Sequence, residues 1–142
     1  MFKYINFIVM ALFVVIIVAF MQSKRHKLQL LFKEQKELFV QLTKKGKPDL
    51  KECYIRKAEV LGARQVIAYT KLDGVTEENQ KAFFINAYNF SVIAELNEKF
   101  PIHSIEEVPD FFNSKPFTVA GLEFNLKTLR SCLLYTSDAA DE

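Results

Sequence analysis

Catalysis needs a nucleophile, a base or a set of ligands, and this sequence supplies few of them. Its thiols are Cys53 and Cys132, and its imidazoles are His26 and His103. Cys53 with His103 would make a thiol–imidazole couple, but nothing near either residue supports the pairing. His103 follows Pro101 in a turn and His26 lies among basic residues, so both read as surface side chains. No Cys/His spacing suits a metal, and neither a phosphate-binding loop nor a nucleophile elbow is present. The glycines stand apart at 46, 62, 74 and 121, so no glycine-rich loop can form. We therefore expect no metal and no cofactor.

The remaining chemical candidates are amides. Lys81-Ala82-Phe83-Phe84-Ile85-Asn86-Ala87-Tyr88-Asn89 is apolar nearly all round, yet it carries two Asn. Asn is a poor helix former, and its amide needs partners when it leaves water. Two readings are open for Asn86 and Asn89. In one, they bond a neighbouring loop and fix its position. In the other, one of them supports catalysis by orienting a reacting group or stabilising a developing charge. Tyr88 reads as a core aromatic with a wet hydroxyl, and Lys81 as a solvated flank.

Helices must position these residues. Leu28, Leu31, Phe32, Gln35, Leu38, Phe39 and Leu42 recur at helical spacing with one polar interruption, and Lys44-Lys45-Gly46-Lys47-Pro48 ends the pattern. A less regular helical stretch covers residues 49–72 and is closed by Asp73-Gly74. Thr76 suits the cap of a third helix reaching Lys99 ahead of Pro101, with Glu77 and Glu78 at its positive end. That helix should be the centre of the core. Ser104 and Glu107 have capping-box spacing for a short helix. Phe117–Val119 and Leu122–Phe124 alternate around Ala120-Gly121 as a small hairpin, and Asn125 suits the cap of a last helix.

The first segment is of another kind. Residues 4–21 carry no charge, and twelve of the eighteen are Leu, Ile, Val or Phe. Eighteen helical residues cover roughly 27 Å, just enough for a hydrocarbon core. This predicts a single transmembrane helix in contact with the lipid bilayer, as a signal-anchor or an uncleaved signal peptide. Bulky Phe20 and Met21 spoil a cleavage site. Orientation stays open: the lysines after the segment favour an internal body, and the very short N-terminal tail is common to signal-anchors.

Charge is unevenly spread behind an overall +2 in 142 residues. Residues 24–71 hold thirteen Lys/Arg against five Asp/Glu, whereas residues 72–130 hold five against nine. The basic stretch reads as a solvated helical face, or as a contact for anionic lipid at about 1 kcal/mol per charge. It lacks interleaved stacking aromatics, so nucleic acid is not expected. The sequence names no protein partner.

Two resemblances complete the reading. The run from Lys81 to Asn89 resembles the signature of the domain of unknown function 547 family, in which Lys81, Phe84, Asn86, Tyr88 and Asn89 are the signature positions here. Similar followers come in order: Phe100-Pro101-Ile102-His103-Ser104-Ile105, Phe117–Gly121 and Asn125-Leu126. Phe84 stands where many members have Trp, and Arg130 where an acidic residue is expected. The resemblance implies an exported bacterial protein or a plant protein bearing other modules, with no settled activity, and a His- and Cys-containing segment beyond residue 130. Cys132 to Asp141 is identical to a translated transposon-end sequencing adapter, so residues 132–142 read as an artefact and the domain as incomplete.

The sequence thus predicts an α+β domain, mostly helical with a small hairpin, on one transmembrane helix. Its parts are the span at 4–21, a basic helical region at 24–72, the family-like part at 73–130 and the adapter at 132–142. The expected location is the bacterial cell membrane with the body exported. The expected role is a membrane-anchored binding or scaffolding module; the alternative is a thiol-dependent hydrolase or transferase completed by downstream Cys and His. Resequencing the source DNA across the Arg130 codon should reveal a frame continuing into that segment. A natural gene encoding Cys132 to Glu142 and then stopping would remove the adapter reading.

Overall fold

The computed structural model describes the backbone of residues 2–138, and side chains except those of 1–9, 11, 24, 25 and 135–142. It divides into two units, residues 1–34 and 35–142. Helix α1 (Phe2–Leu42) makes up the first unit, and its last turns belong to the second.

The membrane span expected over residues 4–21 is corrected here. Among the described residues no helix is long and apolar enough to cross a membrane. The backbone there is helical, but the side chains described are Met10 and those of residues 12–21, all exposed. A bilayer core takes about 20 consecutive apolar residues, and beyond Met21 the helix turns polar with Gln22 and Ser23. The rest of the expected span lies outside the described side chains. Single-pass anchoring, and the membrane location inferred from it, are withdrawn on this ground.

The second unit is helical with two small hairpins. After α1 come strands β1 (Thr43–Lys44) and β2 (Lys47–Pro48), then helices α2 (Leu50–Ile55), α3 (Lys57–Tyr69) and α4 (Glu77–Lys99). Two 3-10 turns, Ile105–Glu107 and Phe111–Asn113, lead to β3 (Phe117–Val119), β4 (Leu122–Phe124) and α5 (Leu126–Asp138). Each hairpin turns through two residues with positive φ, Lys45-Gly46 (52° and 75°) and Ala120-Gly121 (50° and 80°). Such turns match the twist of paired strands. In the first hairpin Lys44 pairs with Lys47, and in the second Val119 pairs with Leu122.

Helix α4 is the centre, as its apolar circumference predicts. Phe83, Ala87, Phe90, Ile93, Ala94 and Leu96 are buried on it. The Phe39 ring of α1 meets Phe90 edge-on at 6.3 Å, and Cys53 of α2, Val60 and Ile67 of α3, and Leu126 and Leu129 of α5 complete the core. Leu96, Phe111 and Leu126 form a cluster at one end, with Tyr88, Ile102 and Val108 packed on it.

The caps sit where the sequence places them, with different bonds in detail. Asp49 caps α2 by accepting the Glu52 N–H. Thr76 precedes α4 but bonds the Asn79 side chain rather than the helix backbone. Glu107 accepts the N–H of His103 instead of that of Ser104. Asn125 and Thr128 cap α5 reciprocally, at 2.8 and 3.0 Å.

Two buried polar residues lack this kind of satisfaction. Gln35 is 3 % exposed with both amide atoms unpartnered, and Asn97 is 4 % exposed with an unpartnered Nδ2. A buried polar group without a partner costs about 1–3 kcal/mol. Gln35→Met keeps the volume and removes the polar atoms, so it should raise the stability of the second unit by about 1–2 kcal/mol. Urea unfolding followed by circular dichroism measures this; a lower midpoint would show that Gln35 has a partner in solution.

Candidate functional site

Most of the residues singled out by the sequence lie on one helix of the second unit. Lys81, Phe84, Asn86, Tyr88 and Asn89 lie along the first half of α4, and all five are half-buried. Phe84 packs edge-on against Phe83 at 5.6 Å and Phe124 of β4 at 6.2 Å. Tyr88 lies in the cluster of Leu96, Phe111 and Leu126. Burial pushes its phenol upward, and the nearby Arg130 cation works against that shift. Arg130 itself sits over the Phe112 ring, 5.6 Å from its centre.

Asn86 and Asn89 have no side-chain hydrogen-bond partner among the described residues, and Ile85 beside them is 43 % exposed. This strip of α4 is therefore only partly covered. Its two amides are free to donate and accept, while no described nucleophile or base stands beside them.

Clefts among the described residues include one beside Phe84 and one beneath the 3-10 turns. One, of about 590 Å³, is lined by Lys71, Asp73, Gln80, Phe84 and Leu122 among others. Gln80 is held there by donating to the Val75 carbonyl at 2.9 Å. The second, of about 380 Å³, is lined by Ile105, Val108, Phe111, Phe112 and Lys127 among others. Sequence reading missed both, because each is made by turns whose paths have no periodic signal.

Cys53 and His103 are not brought together. Cys53 is fully buried and its thiol donates to the Leu42 carbonyl at 3.4 Å. Desolvation, reinforced by the Asp49 carboxylate, pushes that thiol up to about 11. His103 is exposed in the turn that follows the cis Phe100–Pro101 peptide. Among the described residues no group of three His, Cys, Asp or Glu could hold a metal ion.

Residues 72–141 match the family described as "Protein of unknown function, DUF547". This stretch is similar to part of a DUF547 domain. The match takes in the α4 signature, both 3-10 turns, the β3–β4 hairpin and α5, and it runs on through the adapter-like residues. α1 to α3 lie before it, although α3 packs directly on the DUF547 segment through α4 and β3. No curated protein and no solved structure matches the chain.

The buried thiol has a measurable consequence. In a Cys132→Ser background at pH 8, Cys53 should be alkylated on the order of a hundredfold more slowly in the native protein than in urea. Its folded pKa lies above the unfolded one, so the stability linked to Cys53 is full below pH 9 and falls as pH climbs toward 11. Fast native alkylation at pH 8 would mean that Cys53 is accessible and ionised.

Proposed function

We propose that the chain is a non-catalytic binding or scaffolding module whose basic region, residues 24–72, contacts anionic lipid headgroups. The observation that carries the non-catalytic part is the state of Cys53. The thiol of the packed core is a protonated, buried group, and a thiol nucleophile needs the thiolate and access to substrate.

The basic region supports the second part. Asp49 pairs with Lys44 at 2.5 Å and Glu59 with Arg56 at 2.7 Å. Lys36, Lys45 and Lys51 have no ion-pair partner among the described residues, and Lys45 and Lys51 are exposed. Lys45 stands at the tip of the β1–β2 hairpin with a φ of 52°, a conformation that Asn or Gly adopts more readily. The tip thus carries a cation at some conformational cost, which suits a contact made through charge.

Flotation with vesicles tests this. Recovery should be higher with anionic than with neutral vesicles and should fall as salt screens the charges. Lys45→Glu and Lys51→Glu should each weaken anionic binding by about fivefold or more, the equivalent of about 1 kcal/mol per cation. Equal recovery on both vesicle types would sink the lipid contact.

The competing reading is a thiol-dependent hydrolase or transferase with its Cys and His beyond residue 130. The half-buried amides of Asn86 and Asn89, without a partner among the described residues, favour it, since supporting groups await the residues they support. A longer version of the gene product would then show a second cysteine alkylated with a low pKa. Without such a thiol that reading fails.

A further inference from the structure

We propose that the outward face of α2 is where the chain enters an anionic bilayer surface, with Tyr54 and Ile55 among the headgroups and Lys45 and Lys51 at the phosphates. This rests on the lipid contact proposed for the basic region and names the element that makes it. Helix α2 buries one side only: Cys53 is fully enclosed, and Leu50 packs on the cluster of Leu96, Phe111 and Leu126. Lys51, Tyr54 and Ile55 stand at i, i+3 and i+4 and share the other side. Tyr54 is 46 % exposed and Ile55 64 %, and Lys51 is exposed beside them.

Charge selects what this face fits. Residues 44–57 hold six Lys/Arg against two Asp/Glu. The carboxylates around the face are engaged, Asp49 by Lys44 and Glu59 by Arg56. Glu52 is half-buried and within Coulombic reach of the Lys44 and Arg56 cations. Lys47 is within reach of Glu106 and is not counted as free. That leaves Lys45 at the hairpin tip and Lys51 on the face itself, neither with an ion-pair partner among the described residues. Binding at a bilayer interface scales with buried apolar area plus attraction to anionic lipid, and this face offers both together. A small acidic ligand would answer the cations and leave Ile55 in water.

The aromatic ring is held ready for the contact. Tyr54 stacks on Phe100 at the end of α4, with ring centres 4.4 Å and planes 18° apart. The stack restrains the ring without burying it, so less side-chain freedom is lost on docking. Tyrosine has an apolar ring with a polar tip, which suits the headgroup level. Lys51 can lay its apolar stem along the lipid while its ammonium stays with phosphate and water.

Site-specific fluorescence in the full chain tests the insertion. In a Cys132→Ser background, Ile55→Cys takes an environment-sensitive label while the enclosed Cys53 does not. Vesicles of phosphatidylcholine and phosphatidylserine should shift its emission to the blue, and lipids brominated near the top of the acyl chain should quench it. Phosphatidylcholine alone should shift it less. The label reports its own position, so association through the exposed apolar residues 12–21 does not imitate the signal. Ile55→Ser should weaken binding to anionic vesicles by about tenfold, the loss expected when one aliphatic side chain leaves an apolar site. Higher flotation with anionic than with neutral vesicles, beside an unchanged label at position 55, would overturn the insertion and leave the charge contact standing. Equal flotation on both vesicle types would remove both. A blue shift that follows protein concentration without vesicles would give the face to a second copy and overturn the proposal.

Discussion

A helix that is apolar on nearly every side must be enclosed, and in this protein α4 imposes that demand on everything around it. Phe83 and Phe90 are almost fully removed from water, each burial being worth about 1.5–3 kcal/mol. No single neighbour can cover such a surface. The end of α1, α2, α3 and α5 supply apolar side chains to it, and the second hairpin supplies Phe124. Where covering is partial, at Asn86 and Asn89, amides without described partners lie beside the exposed Ile85.

The hairpin is fixed to this core by its backbone as well as its side chains. The N–H groups of Ala120 and Gly121 donate to the carbonyls of Ile67 and Ala68 at 3.1 and 3.0 Å. Carbonyls in the last turn of a helix have no partner within it, so the turn of one element terminates another. Both turn residues have positive φ, which points their N–H groups together. Arg64 adds a contact from the same helix, its guanidinium 5.0 Å from the centre of the Phe117 ring. This coupling explains how α3, which precedes the DUF547 segment, becomes part of the same packed body.

Much of this was legible in advance, for local reasons. The β3–β4 hairpin followed from alternation around Ala120-Gly121, and the bounds of α4 from Thr76 and Pro101. Other features were not. The Lys44–Lys47 break proved to be a second primed hairpin, which its lysine-rich composition conceals. Residues 49–72 divided at Arg56 into α2 and α3, because the chain must turn there for Cys53 and Val60 both to reach the core. The span over residues 4–21 was the largest correction. Hydropathy counts apolar residues along a line, and the described side chains of that line are too few for a crossing.

The sequence by itself determined the helical class, the central place of α4, the β3–β4 hairpin and the likeness of residues 72–141 to DUF547, since each rests on period, punctuation or a contiguous motif. Only the tertiary structure decided the chemical state of the candidate residues. Cys53 is fully buried with its thiol bonded to the Leu42 carbonyl of α1, and His103 is exposed in its turn. Asn86 and Asn89 stay half-buried without a side-chain hydrogen-bond partner among the described residues. Burial and partnership depend on the groups that lie across space from a residue, and the spacing of neighbours along the chain does not carry them.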